Sequence, residues 1–176
     1  RSLIKYAERM EAAALEAFQD INESIATGTV RVGSPEGLGI LLMAPALVKL
    51  HAKHPELHVQ LIPQPQYPSL EAREVDILIT QDPPEKGRYK FAKLTGVDYS
   101  LYCSRTYRDS HPPINSLSDL VGHQFIDYIH DGTLSNQFKM LDELTVNPNR
   151  VFTSTSILAQ REAAVSGMGI VALTPF

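Results

Sequence analysis

Cysteine is nearly absent from this chain: Cys103 is the single one in 176 residues. No disulfide can form within one chain, which points to a reducing, cytoplasmic setting. Cys103 sits in the apolar run "YSLYC", where a lone cysteine reads as core packing, and no base partner is evident that would make it a nucleophile. No apolar stretch reaches about 18 residues, so no helix is expected to span a membrane. The opening "RSLIKYAERM" lacks the basic-then-apolar order of an export signal. It also starts without methionine and in mid-helix, so the chain is expected to be a fragment of a longer protein. A basic stripe is missing as well. Net charge is -4, and Arg1, Lys5 and Arg9 are interleaved with Glu8, Glu11 and Glu16. Nucleic acid is therefore not expected to be gripped by this chain alone.

Catalytic and cofactor signatures are equally scarce. Gly33, Gly37 and Gly39 flank the turn "VGSPEGLG", but no lysine follows to complete a phosphate-binding GxxxxGK[ST] loop. No Gly-x-Ser-x-Gly elbow exists. "HAKHPELH" places His51, His54 and His58 at steps of three and four, yet Pro55 breaks the helix between them, so they need not share the face a metal would require. His111 and His123 fall in a loop and at a strand start, where solvation is the expected role. No cofactor and no metal are expected.

What is present is an ordinary globular composition, 43% hydrophobic and 20% charged, in a chain long enough for one domain or two small lobes with a core. Residues 1–25 read as one helix, with Leu3, Ala7, Met10, Ala14, Ala17 and Ile21 at alternating steps of four and three. Ile4, Leu15, Phe18 and Ile25 widen this stripe. Such a helix either packs on its own domain or pairs with another chain, and the heptad spacing favours pairing into a dimer or tetramer. "ATG" ends it, with Gly28 suited to a left-handed cap.

Beyond it the pattern alternates strand and helix. Val30 and Val32 mark a strand, and 39–53 a helix that Pro45 must kink or restart. A strand over 57–63, a short helix over 67–74 and a strand over 75–80 complete a parallel unit with right-handed crossovers. "QDPPEKGRY" is a surface connection. A second cycle follows: strands over 97–104, 123–129, 150–155 and 169–175, and helices after 104, over 133–144 and over 156–167. The last helix is capped by Ser156 and stopped by Gly167. The implied organisation is a helix over 1–26, a lobe over 27–81, a connection over 82–96 and a second lobe over 97–176.

In open α/β sheets, ligands sit beyond the carboxyl ends of the strands. That rule singles out Ser34 after the first strand, Gln64 and Gln66 after the second, and Thr80 and Gln81 after the third. In the second lobe it singles out His130 and Asp131, then Ser154 and Thr155. Ser34 either helps to bind a small polar or anionic group at the following helix start or merely caps that helix. Glu36 at the same mouth would repel an acidic ligand unless it points outward.

Four segments, in order, carry a family likeness: "GTVRVGSPEGLGILLMAPALVKLHAKHPELHVQL", "LEAREVDILI", "SLYCSRTYRDSHPPINSLSDLVGHQFIDY" and "AAVSGMGIVALTP". With them the chain resembles the effector-binding domain of LysR-type transcriptional regulators, preceded by part of that family's linker helix. The resemblance implies two Rossmann-like lobes similar to type 2 periplasmic binding proteins. It also implies a small-molecule effector in the interlobe cleft, and DNA contact only through an amino-terminal winged helix-turn-helix upstream of Arg1. It places Ser34, Thr80, His130 and Thr155 facing that cleft. The family's sensor continues past the position of Phe176 with a strand and helix that return to the first lobe, so one interlobe crossing is expected to be missing here. Two other readings share the architecture: a solute-binding protein of transport, and an enzyme on a related two-lobed fold. The first calls for an export signal in place of a heptad helix. The second calls for a convergent acid, base or nucleophile, and neither requirement is met in the residues.

Overall fold

The computed structural model describes residues 26–64, 68–81, 87, 89–129, 141, 144 and 147–175. The seam residues Leu3, Ala7, Met10, Ala14, Ala17 and Ile21 lie outside the described residues, as do Gln66 and His130.

The alternating "TVRV" builds the central strand of a parallel sheet: β1 (Gly28–Ser34) lies between β2 (Leu57–Pro63) and β3 (Ile77–Leu78). The register sets Val30 opposite Val59 and Ser34 opposite Pro63, while Gly33 faces Leu78. All three strands therefore run out on the same rim. Gly28, with φ of 93°, opens β1 in the left-handed region that glycine adopts without a steric penalty.

The helical stretch after β1 is composite. A turn α1 (Glu36–Leu38) passes into a π-helical segment (Gly39–Met43), and then α2 (Ala44–Lys53) continues. Pro45 explains the change of pitch. It has no N–H to donate, and its ring crowds the carbonyl four residues back. The chain widens locally, with the Ala44 N–H bonding to the Gly39 carbonyl, so that the proline falls in the first turn of a fresh α-helix. Of the two expectations for Pro45, restart is the one realised. Gly39 is required where this stretch crosses the strand ends. A Cβ there would lie 2.4 Å from Ser34 Oγ and 2.7 Å from Pro63 Cβ.

The short helix expected over 67–74 is instead a single turn. Ser69 Oγ accepts from the Ala72 N–H at 3.0 Å, and the Glu74 carboxylate accepts from the Ser69 N–H at 2.6 Å. Side chains here take the bonds that a helix would make with its own backbone. Arg73, with φ of 55°, then turns the chain out of helical geometry.

The second sheet has the order β4-β7-β5-β6, from β4 (Ser100–Tyr102), β5 (Gln124–Tyr128), β6 (Asn149–Ser154) and β7 (Ile170–Leu173). β5 is parallel to both β6 and β7, and β4 pairs antiparallel at the edge. Successive strand residues point to opposite faces, so the inner strands β5 and β7 each supply two cores. Phe125 and Ile170 pack with Tyr107, Leu120 and Leu141 on one side, with half-buried Cys103 against them. Ile126 and Val171 pack with Ala164 on the other. Tyr107 belongs to α3 (Arg105–Ser110) and Ala164 to α4 (Ile157–Val165). Gly167, with φ of 90°, follows α4 as the expected stop.

Tyr107 also anchors the start of β5. Its hydroxyl accepts from the Gln124 N–H at 2.9 Å and lies 3.1 Å from His123 Nδ1. His123 is thus a buried core histidine and not the solvated one expected from its position at a strand start. Burial pushes the Tyr107 phenol above its ordinary value, and the Gln124 amide partly opposes that shift.

Candidate functional site

The carboxyl ends of the two sheets form two rims, and the candidate residues fall on them. On the first rim, Ser34 is fully buried and its Oγ has no hydrogen-bond partner. It does not cap the helix that follows. The N-cap position is Pro35, which offers no side-chain bond, and the Gly39 N–H goes to the Pro35 carbonyl at 2.9 Å. The capping alternative for Ser34 is therefore excluded by the geometry. Its own carbonyl accepts from the Gln64 N–H at 3.2 Å, which ties the end of β2 to the end of β1. Thr80 and Gln81 are half-buried, and the Gln81 side-chain amide donates to the Tyr99 hydroxyl at 2.7 Å. That bond joins the exit of the first sheet to the entry of the second.

On the second rim, Ser154 and Thr155 are half-buried where β6 turns into α4. Ser154 Oγ accepts from the Ser156 N–H at 3.0 Å, and its carbonyl accepts from the buried Gln160 side chain at 2.8 Å. Ser156 is the N-cap, accepting from the Ala159 N–H at 3.2 Å. This loop is held from within, as an N-terminus needs to be when its first amides have no helical partner. Asp127 and Arg150 form an ion pair at 2.7 Å that links β5 to β6.

Glu36 brings the rims together. Its Oε1 accepts from Ser156 Oγ at 3.0 Å and its Oε2 accepts from the Ile157 N–H at 2.7 Å. A carboxylate of the first lobe thus sits at the N-terminus of α4 in the second. Negative charge is favoured there by the helix dipole. Glu36 therefore neither points outward nor stands idle at the mouth. Ser156 was legible as a cap, and Glu36 as a charge near the turn. Their pairing across more than a hundred residues had no local signal.

The remaining features lie elsewhere. A groove of about 350 Å³ runs between α2 and the start of β2, lined by Leu47, Leu50, His51, Leu57 and His58 among others. It opens at the end of the first sheet opposite the rim. His54 is engaged separately, its Nδ1 accepting from the Ala26 N–H at 3.0 Å. Among the described residues no cluster of His, Cys, Asp or Glu has the makings of a metal site, and no helix is long and apolar enough to cross a membrane.

Comparison with known proteins agrees with this architecture. The LysR substrate binding domain matches residues 24–176. The HTH-type transcriptional regulator CrgA of Neisseria meningitidis serogroup C is 28% identical over 169 residues, covering 94% of this chain and 56% of that protein. The chain thus spans little more than half the length of the curated relatives it matches. The solved structure of CrgA superposes with a TM-score of 0.72 at 25% identity, over 97% of this chain and 59% of that one. Full-length AphB, a virulence activator of Vibrio cholerae, superposes with a TM-score of 0.67 at 22% identity, over 97% and 58%. The two-lobed α/β fold and the matched span lead to one conclusion: this chain belongs to the LysR substrate-binding domain family.

Proposed function

We propose that this chain is the effector-sensing part of a LysR-type transcriptional regulator acting in the bacterial cytoplasm. A small polar molecule binds between the two strand rims and favours one arrangement of the lobes. The helix over residues 1–26 passes that preference to partner copies and to a winged helix-turn-helix carried elsewhere in the protein. The lobes correspond to 27–81 and 97–176, joined through 82–96. No chemical step is assigned to the site. DNA contact is left to the other domain, in keeping with a net charge of -4.

The observation that carries this reading is the pair of bonds by which Glu36, just after β1, reaches the start of α4, just after β6. Ser34, Gln64, Thr80, Gln81, Ser154 and Thr155 are assigned to the cleft by their places after strands. Ser34 adds to it. A buried hydroxyl without a partner is costly, and a ligand atom that bonds to it recovers that cost. Ligand binding shifts the lobes only by the difference in its affinity for the two arrangements. Gln66 and His130 are assigned to the same rims by their places after strands.

The test is a thermal-shift screen of small carboxylates, aromatics and amino acids, because binding to the folded state raises apparent stability. At least one compound is expected to raise the melting temperature, and Ser34→Ala is expected to weaken it roughly three- to tenfold in calorimetric titration without lowering stability. Equal titrations for both versions would remove Ser34 from the site. A screen with no stabilising compound would remove the sensor reading.

A further inference from the structure

Ser156 Oγ and the Ile157 amide hold the Glu36 carboxylate at two points, at 3.0 and 2.7 Å, where α4 begins. A hydroxyl and a helix-terminal amide, one on each oxygen, make a carboxylate receptor, and here the receptor already contains a carboxylate. We infer that Glu36 is a built-in occupant of this position, and that a carboxylate-bearing effector acts by exchanging with it. The inference rests on the sensor reading above and names the chemistry of its ligand.

Three observations support exchange over a fixed strut. Glu36 sits in a helical turn of three residues whose N-cap, Pro35, contributes no side-chain bond, so little holds the side chain except its distant partners. The receptor is complete without it: Ser156 still caps Ala159, and Ser154 still accepts from the Ser156 amide. Two residues before Glu36, at the end of β1, Ser34 Oγ is fully buried and unpartnered, a polar atom that Glu36 does not satisfy. An effector carboxylate that takes the place of Glu36 removes its contact between the rims and leaves the Gln81–Tyr99 bond in place, and further polar atoms on the effector reach groups that the glutamate leaves unused.

Tethering sets the specificity. Glu36 is attached to the lobe and acts at a high effective concentration, whereas a free carboxylate carries no such advantage. A ligand with a carboxylate alone therefore loses to Glu36, and an effector must bring additional contacts. Removing the side chain reverses this, since the receptor then accepts the smallest carboxylate.

The experiment follows the Ile157 amide by NMR and hydrogen exchange in the wild-type chain, Glu36→Ala and Glu36→Gln, with acetate as the probe. In Glu36→Ala the amide is expected to exchange at least about tenfold faster than in wild type, as loss of a charge-assisted bond implies. Millimolar acetate is expected to shift its resonance saturably and restore protection, while leaving wild type unmoved. Glu36→Gln, which keeps the shape and one neutral acceptor, is expected to fall between them and shows that any change is not a folding defect. An Ile157 amide equally protected in wild type and Glu36→Ala overturns the inference, as does an acetate response of equal size in both. Compounds that stabilise wild type in the thermal screen yet leave its Ile157 amide unmoved also overturn the exchange, while leaving the sensor reading intact.

Discussion

Around the second sheet, Phe125, Ile126, Ile170 and Val171 are sealed on alternate faces, whereas Val32 and Val75 are the buried hydrophobic residues around the first among those described. The helix over the first sheet leaves Ile40, Leu41, Leu42, Val48 and Leu50 exposed. Both lobes use the same strand–helix alternation, but among the described residues the second has two buried apolar clusters and the first has apolar strand residues that are mostly half-buried. The seven-residue parallel register of β1 with β2 maintains the shape of the first rim, with Val32 and Val75 the buried apolar residues around it among those described. The second lobe is thus the anchor. The first is a platform tied to that anchor by polar contacts, those of Glu36 with the start of α4 and that of Gln81 with Tyr99.

Truncation sharpens this contrast most. Phe125→Ala, which empties a fully buried position, is expected to cost about 3–5 kcal/mol in urea unfolding followed by circular dichroism. Val32→Ala in the first lobe removes two carbons and is expected to cost about 1–2 kcal/mol. Equal losses at the two sites would erase the distinction between anchor and platform.

An effect smaller than that at Phe125 is expected at Tyr107. Tyr107→Phe leaves the Gln124 amide and His123 Nδ1 without their shared partner, at a cost of about 1–3 kcal/mol. Its pH dependence has a definite sign. The folded-state phenol titrates above the ordinary value of 10.0, so its contribution is fully present below that value and is lost as pH rises through the folded one. Stability of wild type should therefore fall in the alkaline range, and Tyr107→Phe should flatten that fall. An unchanged alkaline profile would detach Tyr107 from the anchor.

The smallest effect is expected on the platform. Val48, 71% exposed, should tolerate Val48→Ser within about 0.5 kcal/mol. A loss above about 1 kcal/mol would mean that this face is covered in solution, and the contrast between the lobes would narrow.

Most of the architecture was legible because it is periodic. "TVRV", "HVQLIP" and "QFIDY" alternate, and Ser156 and Gly167 bracket a helix by cap chemistry that acts within a few residues. Where several local outcomes compete, legibility falls. "SLEARE" has helical propensity, but Ser69 and Glu74 supply the backbone bonds from their side chains, and the segment closes as one turn. Pro45 announced a disturbance in the helix, while its form, a π-helical segment from Gly39, depends on how the helix crosses the strand ends. His123 looked like a solvated residue until the fold placed the Tyr107 hydroxyl beside it.

The site divides along the same line. Strand ends are countable, so Ser34, Gln64, Thr80, Ser154 and Thr155 could be named from the chain alone. Whether Ser34 caps its helix, and what Glu36 touches, depended on distances that no short-range pattern encodes. The sequence by itself determined the order of the described strands, the cap at Ser156, the stop at Gly167 and the positions of the rims, because those follow from interactions between near neighbours. Only the tertiary structure decided that the two rims meet, that Ser34 keeps an unpartnered hydroxyl and that Glu36 reaches the start of α4. Those facts depend on where two lobes come to rest against each other, and a contact spanning more than a hundred residues leaves no trace in local periodicity.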